Sequence, residues 1–179
     1  MGSLLFTEGD VEQFASLADF AQAEAKVPVL MTVDGEWGVS MRVKDTPRFP
    51  KNIALGAIQN MRLIYDYGRE VARECRLLGI QADFAPDADV NSNPANPVIG
   101  SRSFGEDPRR VADATVAYSL GMEDAGVQAV SKHFPGHGDT GTDSHKALTR
   151  VDHNRQRLDD IDLVPFRSFI DAGCSGVMT

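Results

Sequence analysis

Two kinds of apolar pattern alternate along this chain. Short apolar runs, too brief for helices, are separated by longer stretches whose apolar residues recur at helical spacing. The runs are Leu4 to Phe6, Val27 to Val33, Ile80 to Ala85, Val127 to Val130, and Gly176 to the end. Several are bounded by Gly, Pro or Asp, and such runs read as strands buried in a parallel sheet. Between them, Met61, Ile64, Gly68, Val71, Cys75 and Leu78 form a helical stripe that Gly79 ends. Asp107-Pro108 places a capping carboxylate before a proline at the first helical position. Val111, Ala114, Tyr118, Met122 and Ala125 continue that helix to Gly126. Asp10 opens an earlier helix with Val11, Phe14, Leu17 and Ala21, and Pro165 opens the last, with Phe166, Phe169 and Ile170 on it.

Strand-then-helix units predict an α/β fold with parallel strands and right-handed crossovers. An open doubly wound sheet and a (β/α)8 barrel both satisfy this. No G-x-G-x-x-G follows the first run, so the dinucleotide-binding reading loses its main support. About five strands are legible, where a full barrel needs eight and roughly 250 residues. The Asn/Pro-rich stretch Asn91 to Asn96 reads as a loop, because the pattern resumes after it. Residues 1–179 therefore read as a single domain.

Composition narrows the partners. Apolar residues make up 42% and charged residues 25%, the mix of a globular protein. The net charge of −8 repels phosphate backbones and argues against nucleic acid. No apolar run reaches the roughly 18 residues of a membrane span. Met1-Gly2-Ser3 leads straight into Leu4-Leu5-Phe6 with no basic start or cleavage site, so no signal peptide is read; cytoplasmic and periplasmic locations both stay open. Of the two cysteines, Cys75 lies at helical spacing with Val71 and Leu78, which predicts a buried thiol rather than a bridge.

Polar residues cluster where a parallel α/β protein gathers its active site, at the C-terminal ends of strands. Asp34 and Glu36 follow the second run, and Asp83, Asp87 and Asp89 lie along or after the third. After the fourth comes Lys132-His133-Phe134-Pro135-Gly136-His137-Gly138-Asp139, running on to Asp143-Ser144-His145. All four histidines lie between positions 133 and 153, a crowding that suits proton transfer near neutral pH. Zinc is a weaker reading: His133 and His137 are four apart, but Pro135-Gly136 breaks the helix that would align them. No metal is expected. A serine triad is weaker still, since Ser144 lacks the G-x-S-x-G elbow. Asp143 and His145 make a better dyad, the carboxylate orienting the imidazole and raising its basicity, although the same pair could simply tie down a loop.

The run Lys132-His133-Phe134-Pro135-Gly136-His137-Gly138-Asp139-Thr140 followed by Asp143-Ser144-His145 resembles the signature of β-N-acetylhexosaminidases of glycoside hydrolase family 3. Val33-Asp34-Gly35-Glu36-Trp37-Gly38 is similar to the family's Asp-x-Glu-Gly segment, and Asn96 to Gly105 to its following loop. Similar matches run from Leu78 through Val90, at Pro165-Phe166, and at Gly176-Val177-Met178-Thr179. The resemblance implies a partial TIM barrel, about five of eight βα units, acting as a retaining glycosidase on a carbohydrate. Its substrate would be terminal β-linked N-acetylglucosamine from peptidoglycan fragments or chitin oligosaccharides, with no cofactor.

Residue by residue, the resemblance makes His145 the general acid and base and Asp143 its partner. Lys132, His133, Asp34, Arg42 and Arg102 would hold the sugar. The family's nucleophile is an aspartate past the Gly176–Thr179 landmark, so this chain alone is expected to be inactive. Asp87 replaces a more usual apolar residue, Trp37 a more usual glycine, and Thr149-Arg150 a more usual Leu-Pro. An unclosed barrel leaves two unpaired edges and an exposed apolar inner face, which predicts self-association. A β-glucosidase of the family is a rival reading, but it should lack Asp143-Ser144-His145. A glycoside phosphorylase and a non-catalytic sugar-binding module are the others.

Overall fold

The computed structural model describes residues 2–141 and 153–179. Five strands alternate with helices: β1 (Ser3–Phe6), α1 (Val11–Glu24), β2 (Leu30–Val33), α2 (Asn52–Leu55), α3 (Met61–Leu77), β3 (Ala82–Asp83), α4 (Pro108–Asp124), β4 (Gln128–Ser131), α5 (Arg155–Arg157), α6 (Val164–Asp171) and β5 (Gly176–Val177). Single tight turns at Val39–Met41 and Gly100–Arg102 and a wide turn at Leu158–Asp162 complete the path.

All pairings are parallel, and the spatial order is β1-β2-β3-β4-β5. That order decides between the two folds left open by the sequence. A doubly wound sheet reverses direction at a switch point, whereas each strand here joins the same side of its predecessor, as in a barrel. The sheet is not closed: β1 and β5 are its outer strands.

The helices form where the sequence places their caps. Asp10 accepts from the Gln13 N–H at 2.9 Å while the Gln13 side chain accepts from the Asp10 N–H at 3.0 Å, a reciprocal cap that starts α1. Asp107 accepts from the Arg110 N–H at 2.7 Å, with Pro108 at the first turn of α4. The stripes of α3 and α4 face inward, burying Ile64, Val71 and Cys75 on one and Val111, Ala114, Tyr118 and Met122 on the other. The two helices pack backbone to backbone: a Cβ on Gly68 would lie 2.2 Å from the Tyr118 carbonyl oxygen, and one on Gly121 would lie 2.1 Å from that of Tyr65. Cys75 and Cys174 are both free thiols.

Some boundaries and one helix face differ from the sequence reading. The second strand begins at Leu30, not Val27, because Pro28 has no N–H to give the ladder, and Val27 is left exposed. The last helix begins at Val164, one residue before Pro165. On α1 only half of the apolar stripe is covered: Phe14 stacks on Phe6 with ring centroids 4.3 Å apart, but Val11 and Leu17 are exposed.

The sheet itself has two unlike faces. Phe6, Met31 and Val33 point to the helices and are buried. Their alternates Leu5 and Leu30 point to the opposite face and are 46% and 39% exposed. In a closed barrel that face would be the packed interior. Among the described residues no helix is long and apolar enough to cross a membrane.

Candidate active site

The strand ends converge on one cluster of charges. Asp34 leaves β2, and the tight turn at Val39–Met41 returns the chain so that Arg42 reaches it. The Arg42 guanidinium donates to the Asp34 carbonyl at 2.9 Å and to its carboxylate at 2.5 Å. Lys132, the first residue beyond β4, donates its ammonium to the other Asp34 oxygen and also to Glu36 at 2.8 Å. Glu36 is fully buried and is clasped from the other side by Arg102, through Nε at 2.9 Å and a terminal nitrogen at 2.6 Å. Arg102 stands on the Gly100–Arg102 turn, whose backbone is tied to α2 by Asn52 donating to the Arg102 carbonyl at 2.8 Å.

His133 completes the arc. Its Nδ1 lies 2.6 Å from the Asp89 carboxylate and its Nε2 lies 3.1 Å from Arg102. A guanidinium can only donate, so Nε2 accepts and Nδ1 carries the proton toward Asp89, which fixes the tautomer. Asp89 also accepts the backbone N–H groups of His133 at 3.3 Å and His137 at 2.6 Å, so one carboxylate holds both ends of the His133–His137 turn. The stretch Pro86 to Asp89 runs alongside β4's exit, with the Ala88 N–H donating to the Lys132 carbonyl at 2.7 Å.

Charge states follow from this pairing. Burial alone would raise Asp34, but Lys132 and Arg42 outweigh it and hold the carboxyl below its usual range. Burial likewise opposes ionisation of Glu36, and Arg102 and Lys132 overcome it. Burial lowers Lys132, and Glu36 and Asp34 more than restore it, so the ammonium stays charged. Asp87 is different. Burial, reinforced by Asp89 and Glu36, pushes it well above the carboxylate range; its Oδ2 makes no hydrogen bond, and Arg102 is 3.6 Å away. Burial thus favours the neutral form of this acid.

Asp87, Asp89 and His133 offer three ligand atoms within 4.8 Å of one another, a grouping of metal-ligand type. Arg102 lies against two of the three, so the protein places its own cation there. Half-exposed Asp34, Arg42, Arg102 and His133 front the cluster, with Glu36, Asp87, Asp89 and Lys132 behind them. Fixed donors around a fixed acceptor can grip vicinal hydroxyls, each charge-assisted bond being about twice as strong as a neutral one.

The five residues read as sugar-binding, Asp34, Arg42, Arg102, Lys132 and His133, thus share one network. Asp143 and His145, read as the catalytic pair, lie outside the described residues, as do Thr149 and Arg150. The described residues on either side meet: His153 Nε2 is 2.8 Å from Asp139, and Arg157 is 3.5 Å from the same carboxylate. Sequence reasoning assigned no role to Glu36, Asp89 or Asp139. Their signal was weak, one carboxylate among several at each strand end, and only the partners that the fold brings give them their work.

The sequence profile of the Glycosyl hydrolase family 3 N terminal domain matches residues 4–179. Among relatives, Beta-hexosaminidase A of Pseudoalteromonas piscicida is 38% identical, the match covering 99% of this chain and 32% of that protein. Beta-hexosaminidase LpqI of Mycobacterium tuberculosis is 37% identical, covering 99% of this chain and 46% of that protein. Among solved structures, a glycoside hydrolase family 3 β-N-acetylglucosaminidase from Paenibacillus sp. str. FPU-7 superposes with a TM-score of 0.94 at 42% identity, over 100% of this chain and 36% of that one. The chain thus spans about half or less of the length of these proteins.

Proposed function

The chain belongs to glycosyl hydrolase family 3, and from that membership and the geometry of the charged cluster we propose that it supplies the sugar-holding and proton-transferring part of a retaining β-N-acetylhexosaminidase. The observation that carries this reading is Asp34, gripped between Arg42 and Lys132 while still partly open to solvent. A carboxylate so fixed accepts from two ring hydroxyls without first reorganising, and Lys132, Arg102 and His133 supply donors around it.

In this reading Asp143 orients the His145 imidazole, which protonates the departing glycosidic oxygen and then takes a proton from the incoming water. A general acid in that position is worth roughly 10²–10⁴-fold in rate. The substrate is a terminal β-linked N-acetylglucosamine, from peptidoglycan fragments or chitin oligosaccharides. Retention needs a carboxylate nucleophile. Among the described site residues, Asp34 and Glu36 are each bound to two cations, Asp89 is held by His133, and Asp87 is buried with its carboxyl pushed well above the usual range. That arrangement supports a nucleophile from outside this cluster. The exposed Leu5 and Leu30 face supports self-association of the chain through its open sheet.

The test is to titrate the 179-residue chain with N-acetylglucosamine and with glucose, and to assay it on the chromogenic β-N-acetylglucosaminide and β-glucoside. Binding selective for the acetamido sugar, lost in Lys132→Ala, and no turnover are expected. Turnover abolished by His145→Ala would place a nucleophile within the chain or in a second copy and overturn that part of the reading. Turnover that depends on phosphate rather than chloride would mean a phosphorylase, and preference for glucose a β-glucosidase. Saccharide binding indifferent to His145→Ala at every step, in any longer active form, would leave only a binding module. A monodisperse monomer in sedimentation would remove the self-association.

A further inference from the structure

We infer that Asp83 is a positioning residue for the Asp34–Glu36 bend, holding it through the Gly35 backbone amide, so that ionisation of Asp83 loosens the grip on the sugar. The inference rests on the sugar-binding reading above and adds a residue that has no contact with solvent or ligand.

Asp83 ends β3 in register with Val33 and Ala129 on its neighbours, and it is fully buried. Its Oδ1 accepts the Gly35 N–H at 2.8 Å, and Gly35 lies between the two carboxylates that hold Lys132. The contact is close. A Cβ on Gly35 would stand 3.2 Å from Asp83 Oδ2 and 3.2 Å from the Gly38 carbonyl oxygen, so a side chain at position 35 would press the bend away from its seat. Asp83 Oδ2 makes no hydrogen bond.

The groups that face Asp83 come from every side. Asp34 and Glu36 approach from the bend, Lys132 from the end of β4, Tyr67 and Cys75 from α3, and Tyr118 from α4. Glu74 of α3 acts on the same Tyr67 and Cys75. Lys132 offsets part of this, but its ammonium already serves Asp34 and Glu36. Burial therefore prevails, and the Asp83 carboxyl is pushed up to about 7 despite the Gly35 N–H and Lys132.

The neutral acid seats the Gly35 amide without adding charge. The ionised form puts a third negative charge behind Lys132 and competes for the ammonium that holds Asp34. Ionisation would tighten the single bond to the Gly35 N–H, but burial and the charges of Asp34 and Glu36 outweigh that gain, so the seated bend, which encloses Asp83, is favoured below about 7 and weakened as pH rises through it. Sugar affinity should follow the same direction.

The experiment is a pair of NMR titrations on the 179-residue chain, of pH and of N-acetylglucosamine, for the parent, Asp83→Asn and Asp83→Ala. In the parent the Gly35 amide resonance should titrate with a midpoint near that of Asp83. Affinity should fall by up to about tenfold between pH 6 and pH 8. Asp83→Asn keeps an acceptor for the Gly35 N–H and cannot ionise, so it should keep the pH 6 affinity and flatten both curves. Asp83→Ala should weaken binding about tenfold by leaving the amide unpaired; should it fail to fold, Asp83→Asn decides alone. A Gly35 amide that does not titrate in the parent, or still titrates in Asp83→Asn, overturns the contact whatever the sugar does. A titrating amide with pH-independent affinity overturns the positioning role. A titrating amide with no sugar response in any variant overturns the sugar-binding reading, and the positioning role with it.

Discussion

Two buried glutamates, one at the strand ends and one on α3, show how little burial alone decides. Glu36 has no exposed surface, yet Arg102 and Lys132 keep it ionised below the usual carboxylate range. Glu74 is also buried, but neither of its oxygens finds a hydrogen bond. Burial, with Glu70 adding to it, pushes Glu74 up to about 7, because neighbouring Arg73 is already engaged by Glu70 at 2.6 Å and 2.9 Å. The same residue type is a charge in one region and an acid in the other. The charge sits where the strand ends converge, and the acid sits where α1 and α3 meet the loop at Thr46 and Pro47.

The largest expected effect breaks the first region. Lys132→Met removes the cation shared by Asp34 and Glu36 and leaves Asp34 to Arg42 alone and Glu36 to Arg102 alone. It should cost about 3–5 kcal/mol in chemical denaturation, as breaking a buried ion pair does, and abolish N-acetylglucosamine binding. A loss below about 1 kcal/mol would mean that the cluster is wetter than its burial implies.

The second effect tests Glu74. Its raised pKa is a cost that is absent below the ordinary carboxylate range and fully present above about pH 7. Glu74→Gln should therefore stabilise the chain by roughly 1–3 kcal/mol at pH 8 and hardly at all at pH 4.5, read from denaturation midpoints at both pH values. An equal gain at both would assign it to packing. Asp34 and Glu36, held low, act with the opposite sign: their stability is present above the ordinary range and lost as pH falls through their lowered values. Stability of the parent should thus peak in mildly acidic solution and decline on both sides.

The smallest effect supplies the baseline. Glu70→Gln on the exposed face of α3 removes an i,i+3 ion pair with Arg73, and should change stability by no more than about 0.5 kcal/mol. Helix capping lies between: Asp107→Ala should cost about 1 kcal/mol by freeing the Arg110 amide at the start of α4.

Much of the fold was legible. All five apolar runs became strands, and Asp10, Asp107 and Gly79 marked helix ends as their chemistry requires. What misled was local: Val27 belonged to the apolar pattern but lies beyond Pro28, outside the ladder. The tight turns that aim Arg42 and Arg102 into the cluster were not visible, since a three-residue turn leaves no periodicity to read. At the site, the residues proposed to hold the sugar were named by resemblance, while their partners Glu36 and Asp89, and Asp83 beneath the Gly35 amide, were legible only as polar residues near strand ends.

The order of elements, their caps and the strand ends at which polar residues gather were written in the order of the amino acids, because these depend on side-chain periodicity and on neighbours a few positions away. Which carboxyls are held ionised and which are pushed toward the neutral form was settled by long-range contacts. Asp34 meets Lys132 across 98 positions and Glu36 meets Arg102 across 66, while Glu74 meets no cation of its own. A buried charge survives only beside its partner, and for Asp34 and Glu36 the fold, not the neighbouring sequence, brings that partner within reach.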